Sequence, residues 1–206
     1  MNKASFKRCH EEFDAWMLIY GEMLKRLVEA KRVVRTKPEK LEIVEAFVRR
    51  CTVRWELLVT WDMLTSLNRD CSQYAMALGL KLPRHLSYDE CKAILYGPRY
   101  LDFKGTEDIL RFSKKYLVPA LNPFLAVPKG VRDRIDEFLL VRNVLAHYSD
   151  ASIRSYKTLM KDTYDYSRIP EPGAFLISVQ SSGQYRWGEY ILNFLQASEK
   201  MLQSVS

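Results

Sequence analysis

The chain has 206 residues, enough for one sizeable core or two small ones, and its 48% hydrophobic and 12% aromatic content excludes a disordered protein. Only 8 Gly and 8 Pro are present, which speaks against a turn-rich β-sandwich. A net charge of +7, from 32 basic and 25 acidic residues, favours contact with polyanions without establishing it.

In chain order, the N-terminal residues from Met1 to Arg8 lack the apolar core of a signal peptide, and no run approaches the roughly 20 apolar residues that span a bilayer. Residues 9–35 carry Phe13, Trp16, Met17, Tyr20, Met23, Leu24, Leu27 and Val28 at three- and four-residue steps, which predicts a helix. Thr36-Lys37-Pro38 interrupts it, and a second long helix is expected over about 39–68 on the stripe Leu41, Val44, Phe47, Val48, Cys51, Trp55, Leu58 and Val59. Two long helices with a short link should form an antiparallel hairpin. Asp70 is placed to cap a short helix through about Leu78, with Gly79 ending it. Ser87-Tyr88-Asp89-Glu90 fits a capping box, opening a helix that ends near Gly97-Pro98. Thr106 is expected to cap another, running to about Leu117, with Glu107 and Asp108 in the first turn, where negative charge suits the helix dipole.

Pro119, Pro123 and Pro128 mark a loop, and Pro128 suits the start of a helix continuing through His147. Helix is also expected over about 152–166 and 187–202. Between them, Phe175 to Gln180 reads as a strand with Ser181-Ser182-Gly183 as its turn. The whole is therefore read as a single all-α domain, 1–206, with a small extended segment near 175–186. Cys9, Cys51, Cys71 and Cys91 form no CxxC pair, so neither a zinc site nor any other cofactor is expected, and the thiols fit a reducing cytoplasm.

The chemistry concentrates in Arg142-Asn143-Val144-Leu145-Ala146-His147. At about 100° per residue, Ile135 and Arg142 fall about 20° apart, flanked by Phe138, Leu139 and Leu145. Arg142 thus reads as lying on or beside the core stripe, where a guanidinium is costly unless paired or facing a cavity. Asn143 and His147 are four apart and share a neighbouring face with Asp136 and Leu140. A helix apolar almost all round asks for cover on more than one side, and a second subunit is a natural cover. Histidine can move a proton near neutral pH, arginine can hold charge developing on a phosphoryl group, and asparagine can orient either. RNA brings its own nucleophile, the 2′-hydroxyl, so a base with an anion-stabilising group suffices in principle to leave a 2′,3′-cyclic phosphate.

This constellation resembles the signature of the HEPN family (higher eukaryotes and prokaryotes nucleotide-binding domains), an Arg, then four to six residues, then a His, on a late helix. Here Arg142 and His147 are separated by four residues, a polar Asn143 follows the Arg, and the surrounding Phe138 to His147 repeats the family's apolar pattern. The resemblance is closest to the RiboL-PSP-type group. It implies a HEPN-like helical bundle that dimerises so that two Arg/His motifs face one cleft. It further implies a metal-independent endoribonuclease of toxin–antitoxin, phage-defence or RNA-processing systems, with Arg142, Asn143 and His147 catalytic. The partners expected are RNA, a second copy and an antitoxin or other regulatory protein, with no membrane. Because some members are non-catalytic, a dimeric scaffold or nucleotide-binding regulatory subunit is the alternative.

For each residue a plainer reading stands beside the functional one. Arg142 could pair with a carboxylate and His147 could cap carbonyls at the helix end. Arg49, Arg50, Arg54 and Glu56 read as a solvated i,i+3/i+4 network, or else Arg50 or Glu56 lines the substrate-binding cleft and positions Arg142. Asp62, amid apolar residues, asks for a buried cation, with Arg142 a candidate. Tyr148 can stack on a base or pack in an interface. His10 and His85 read as surface residues. Lys25, Arg26, Lys31, Arg32 and Arg35 read as a solvated helix end more readily than as a phosphate track.

Overall fold

The computed structural model describes residues 5–29, 37–96 and 105–205. Among them the chain is all-α, with no β-strand. The long helices are α1 (Phe6–Glu29), α2 (Lys37–Arg69), α6 (Lys129–His147) and α9 (Arg186–Val205). Shorter ones are α3 (Ser72–Leu78), α4 (Tyr88–Leu95), α5 (Thr106–Tyr116), α7 (Asp150–Asp162) and α8 (Pro172–Leu176). Two 3-10 turns, Pro119–Leu121 and Pro123–Ala126, follow α5. Among the described residues no helix is long and apolar enough to cross a membrane. The expected ends of the first helix beyond Glu29, including Lys31, Arg32 and Arg35, and the Gly97-Pro98 stop lie outside the described residues.

The chain divides into two compact units. The first contains Met1–Asp14, Trp55–Arg132 and Gln196–Ser206, and the second Ala15–Arg54 and Asp133–Leu195. In the first unit His10 meets Asp62, Phe13 meets Trp55 and Arg69 lies over Phe6. In the second, Arg54 lies over Trp16 and Arg50 over Tyr20. Across these pairs the α2 residue number falls as the α1 number rises, which is the signature of an antiparallel hairpin. From Asp62 to Asn68 every residue of α2 is buried, and Leu86, Cys91, Ile109, Leu117, Phe124 and Met201 of the same unit are buried too.

Local signals explain most helix ends. The Ser87 hydroxyl accepts the Glu90 amide and the Glu90 carboxylate accepts the Ser87 amide, which satisfies two otherwise orphaned donors at the start of α4. Gly79 ends α3 at φ +66°, a left-handed conformation that favours glycine. Asp70 sits one residue earlier than a cap. Cys71 takes that place, because its amide and thiol are held by the carbonyls of Arg84 and Pro83, and Asp70 instead accepts the Ser72 amide. Thr106 is likewise the first helical residue, buried, with Gly105 as the cap. Ser149 caps α7, which starts earlier than expected and stops at Asp162, where Asp165 turns the chain at φ +50°.

The expected strand from Phe175 is corrected. Pro172 opens a short helix on which Phe175 and Leu176 are buried, and the Phe175 ring packs against Tyr156 and Tyr164. The extended piece shrinks to a single bridge, Val179 with Tyr185, around Gly183 at φ +78°. Within the second unit Phe138 packs edge-on to Phe194 and beside Tyr190, which fixes α6 on α9.

Candidate functional site

The second half of α6 buries Phe138, Val141 and Val144, while Leu139, Leu140, Arg142, Asn143, Leu145 and Ala146 are only half-buried. The core stripe therefore runs through Val141 and Val144 rather than through Arg142, Leu139 and Leu145. The reason lies in Phe138 and Glu137, whose partners on α9 rotate that side of the helix inward. Arg142 is left at the edge of the buried face. Its Nη1 donates to the Asn143 side-chain oxygen at 3.0 Å, so the Asn restrains the guanidinium directly.

His147 is the last residue of α6 and is exposed. Tyr148 follows at φ +44°, a left-handed conformation uncommon for an aromatic residue, and is 65% exposed. Its amide still donates to the Val144 carbonyl, and Ser149 then caps α7. The joint between α6 and α7 thus holds an imidazole and a phenol ring at the surface. Asn143 and His147 share a face, whereas Arg142 and His147 diverge by about 140° around the helix axis. In one chain the cation and the imidazole therefore point in different directions.

The other residues singled out in the sequence fare differently. Arg49 pairs with Glu45, Arg54 lies over Trp16 with its guanidinium carbon 4.3 Å from the ring centroid, and Arg50 lies over Tyr20 at 5.9 Å. Arg49 thus makes a solvated i,i+4 pair with an upstream carboxylate, and Arg50 and Arg54 face aromatic rings of α1. Glu56 is exposed. Arg26 pairs with Glu22 at 2.9 Å, as a solvated helix end would. His85 is at the surface as expected.

His10 is not. It is 0% exposed, with Nε2 placed 3.0 and 3.2 Å from the two oxygens of Asp62 and Nδ1 2.8 Å from the Ser198 hydroxyl. Asp62 accordingly has a basic partner, but it is His10 and not Arg142. Ser198, His10 and Asp62 are connected in the order of a hydrolytic triad. All three are 0% exposed, so no substrate reaches the hydroxyl, and the trio ties α1, α2 and α9 together inside the first unit. Burial pushes the Asp62 carboxyl up, with the His10 hydrogen bond and charge pulling it back. Asp14 is pushed up by burial as well, and its Oδ1 is buried with no partner.

A second buried centre was not legible beforehand. Glu137, 7% exposed, accepts the hydroxyls of Tyr164 and Tyr190 on one oxygen and Arg134 on the other at 2.8 Å. Arg134 also donates to the Tyr164 hydroxyl at 2.8 Å and lies 3.5 Å from Glu189. Burial and then Glu137 push the Tyr164 phenol up to about 12, and the same causes raise Tyr190. Both phenols therefore stay protonated and donate. The i,i+3 spacing of Arg134 and Glu137 was the one signal available, since the tyrosines lie 27 and 53 residues from Glu137. The network anchors the helix that carries Arg142.

Among the described residues, no three His, Cys, Asp or Glu side chains converge in a way that could hold a metal ion. All four cysteines are free thiols, three buried and Cys9 partly so, and burial raises their pKa. The chain matches no protein-family model, no curated protein and no solved structure.

Proposed function

We propose that the chain is a HEPN-type endoribonuclease that cuts RNA as a homodimer without a metal, in the cytoplasm, under the control of an antitoxin or similar regulator. The observation that carries this reading is the restrained guanidinium: Arg142, half-buried and held by Asn143, on the same helix as a solvent-facing His147. His147 of one copy removes the proton of the RNA 2′-hydroxyl, whose oxygen attacks the adjacent phosphorus. The bond from phosphorus to the 5′-oxygen breaks, and that oxygen takes a proton from the His147 of the second copy or from water. Arg142 neutralises the charge on the non-bridging oxygens meanwhile, and the products are a 2′,3′-cyclic phosphate and a 5′-hydroxyl. The divergence of Arg142 and His147 on one helix favours a site completed by two chains. Tyr148, exposed beside His147, is suited to stack on a flanking base.

The test is incubation of the purified chain with total RNA in EDTA, wild type against His147→Ala and Arg142→Ala. Each substitution is expected to lower cleavage by roughly 100-fold or more, and wild-type products should end in cyclic phosphate. Cleavage that survives both substitutions, or that requires a divalent metal, overturns the reading. A chain that cuts nothing yet binds nucleotide through Arg142 would instead be a non-catalytic HEPN module.

A further inference from the structure

Between α1 and α2, in the second unit, lies a cavity of about 190 Å³ whose walls include Met23, Leu24, Leu27, Ile43 and Phe47. Arg50 and Tyr20 also border it, the guanidinium carbon of Arg50 lying 5.9 Å from the centre of the Tyr20 ring. Water occupies about 30 Å³ per molecule in the liquid, so the space holds roughly six groups the size of a water or a methylene. It is partly open to the surface, and Met23 at its wall is 49% exposed.

Among the described residues that line this cavity, Arg50 alone is charged. Residues three and four positions from Arg50 on α2 are Ala46, Phe47, Val53 and Arg54, none of them acidic. Around Tyr20, its ring partner on α1, stand Met17, Met23 and Leu24. The nearest carboxylates in sequence are engaged elsewhere, Glu45 with Arg49 and Glu22 with Arg26. An apolar slot with one guanidinium at its edge and no acid on either helical neighbour matches an amphipathic anion: an unbranched chain for the slot, a carboxylate for the cation.

We propose that this cavity binds a medium-chain linear carboxylate of about six to eight carbons, its chain among Leu24, Leu27, Ile43 and Phe47 and its carboxylate on Arg50. The site is independent of the Arg142 and His147 chemistry and stands whether or not the chain cuts RNA.

Isothermal titration of the full chain with butanoate, hexanoate, octanoate and decanoate, each below its micellar concentration, tests it. Octanoate should bind with a Kd at or below about 1 mM. Affinity should rise about fourfold per added methylene up to octanoate and then level off, because a further methylene finds no apolar wall. Octylammonium should bind at least tenfold more weakly than octanoate. Arg50→Ala should weaken octanoate about tenfold or more, and Ala46→Trp, an exposed position at the cavity wall, should abolish binding by filling the slot. No heat with octanoate, equal binding of octylammonium, or binding indifferent to both substitutions overturns the proposal. So does an Ala46→Trp chain whose mass falls to that of a monomer while the wild type binds no octanoate, since the cavity would then receive a side chain of a second copy.

Discussion

At the scale of single residues, the most consequential side chain is one whose sequence neighbours say nothing about it. His10 looks like any surface histidine in Arg8-Cys9-His10-Glu11-Glu12, because its partners Asp62 and Ser198 are 52 and 188 residues away. Asp62, by contrast, announced a buried basic partner through its apolar surroundings, and only the identity of that partner was out of reach. Removing His10 would leave Asp62 as a buried carboxylate without its partner, which costs about 3–5 kcal/mol. In a chain of 206 residues that corresponds to a fall in Tm of roughly 6–20 °C. His10→Ala should show this by calorimetry, and the double variant His10→Leu/Asp62→Leu should recover most of it, since an apolar pair has no charge to strand. A loss below about 1 kcal/mol for His10→Ala would mean that the two groups are not energetically paired. The same contrast applies at the candidate site. Arg142, Asn143 and His147 were visible because a cation, an amide and an imidazole interrupt an apolar run. Which of the other two Asn143 holds was not, because adjacent residues on a helix normally point apart, yet it is Arg142 that donates to it.

Among elements, what could be read beforehand was whatever local chemistry decides. The capping box of α4, the left-handed Gly79 after α3, the proline before α6 and the apolar stripes of α1 and α2 are all set by residues within a turn of one another. The errors fall where tertiary contacts decide. Phe175 and Leu176 have strand-like composition, yet the aromatic cluster with Tyr156 and Tyr164 draws them onto a short helix. The face that α6 buries is set by Glu137 and its two tyrosines. These three act as a unit, because each phenol donates to the same carboxylate oxygen. Tyr164→Phe and Tyr190→Phe should each cost about 1–3 kcal/mol in urea denaturation. The double variant should differ from the sum by at least about 0.5 kcal/mol, as contacting members of one network do. Strict additivity would show that the carboxylate is satisfied by Arg134 alone and that the tyrosines are bystanders.

For the whole molecule, the deciding question is how many chains make one site. Arg142 and His147 diverge by about 140° on one helix, while Leu139, Leu140 and Leu145 of the same helix remain half-exposed. If a second copy covers the side of α6 that carries Leu140, Asn143 and His147, association and catalysis are the same event, and activity per chain must depend on concentration. Dilution through the dimer dissociation constant should lower cleavage per chain in step with the fraction of dimer measured by mass photometry. Leu140→Asp places a charge on the half-buried face, where a partner would have to desolvate it, but leaves it partly solvated in the monomer. It should shift the mass to one chain and abolish cleavage with EDTA present, with the melting temperature of the monomeric fold little changed. The net charge of +7 gives a second handle, since RNA contacts weaken steeply with salt while an apolar interface does not. Raising the salt should therefore suppress cleavage at a concentration where the dimer persists. Activity per chain that stays constant down to fully monomeric protein would refute the two-chain site and leave Arg142 and His147 to act within a single copy, for which their divergence on α6 offers no common target.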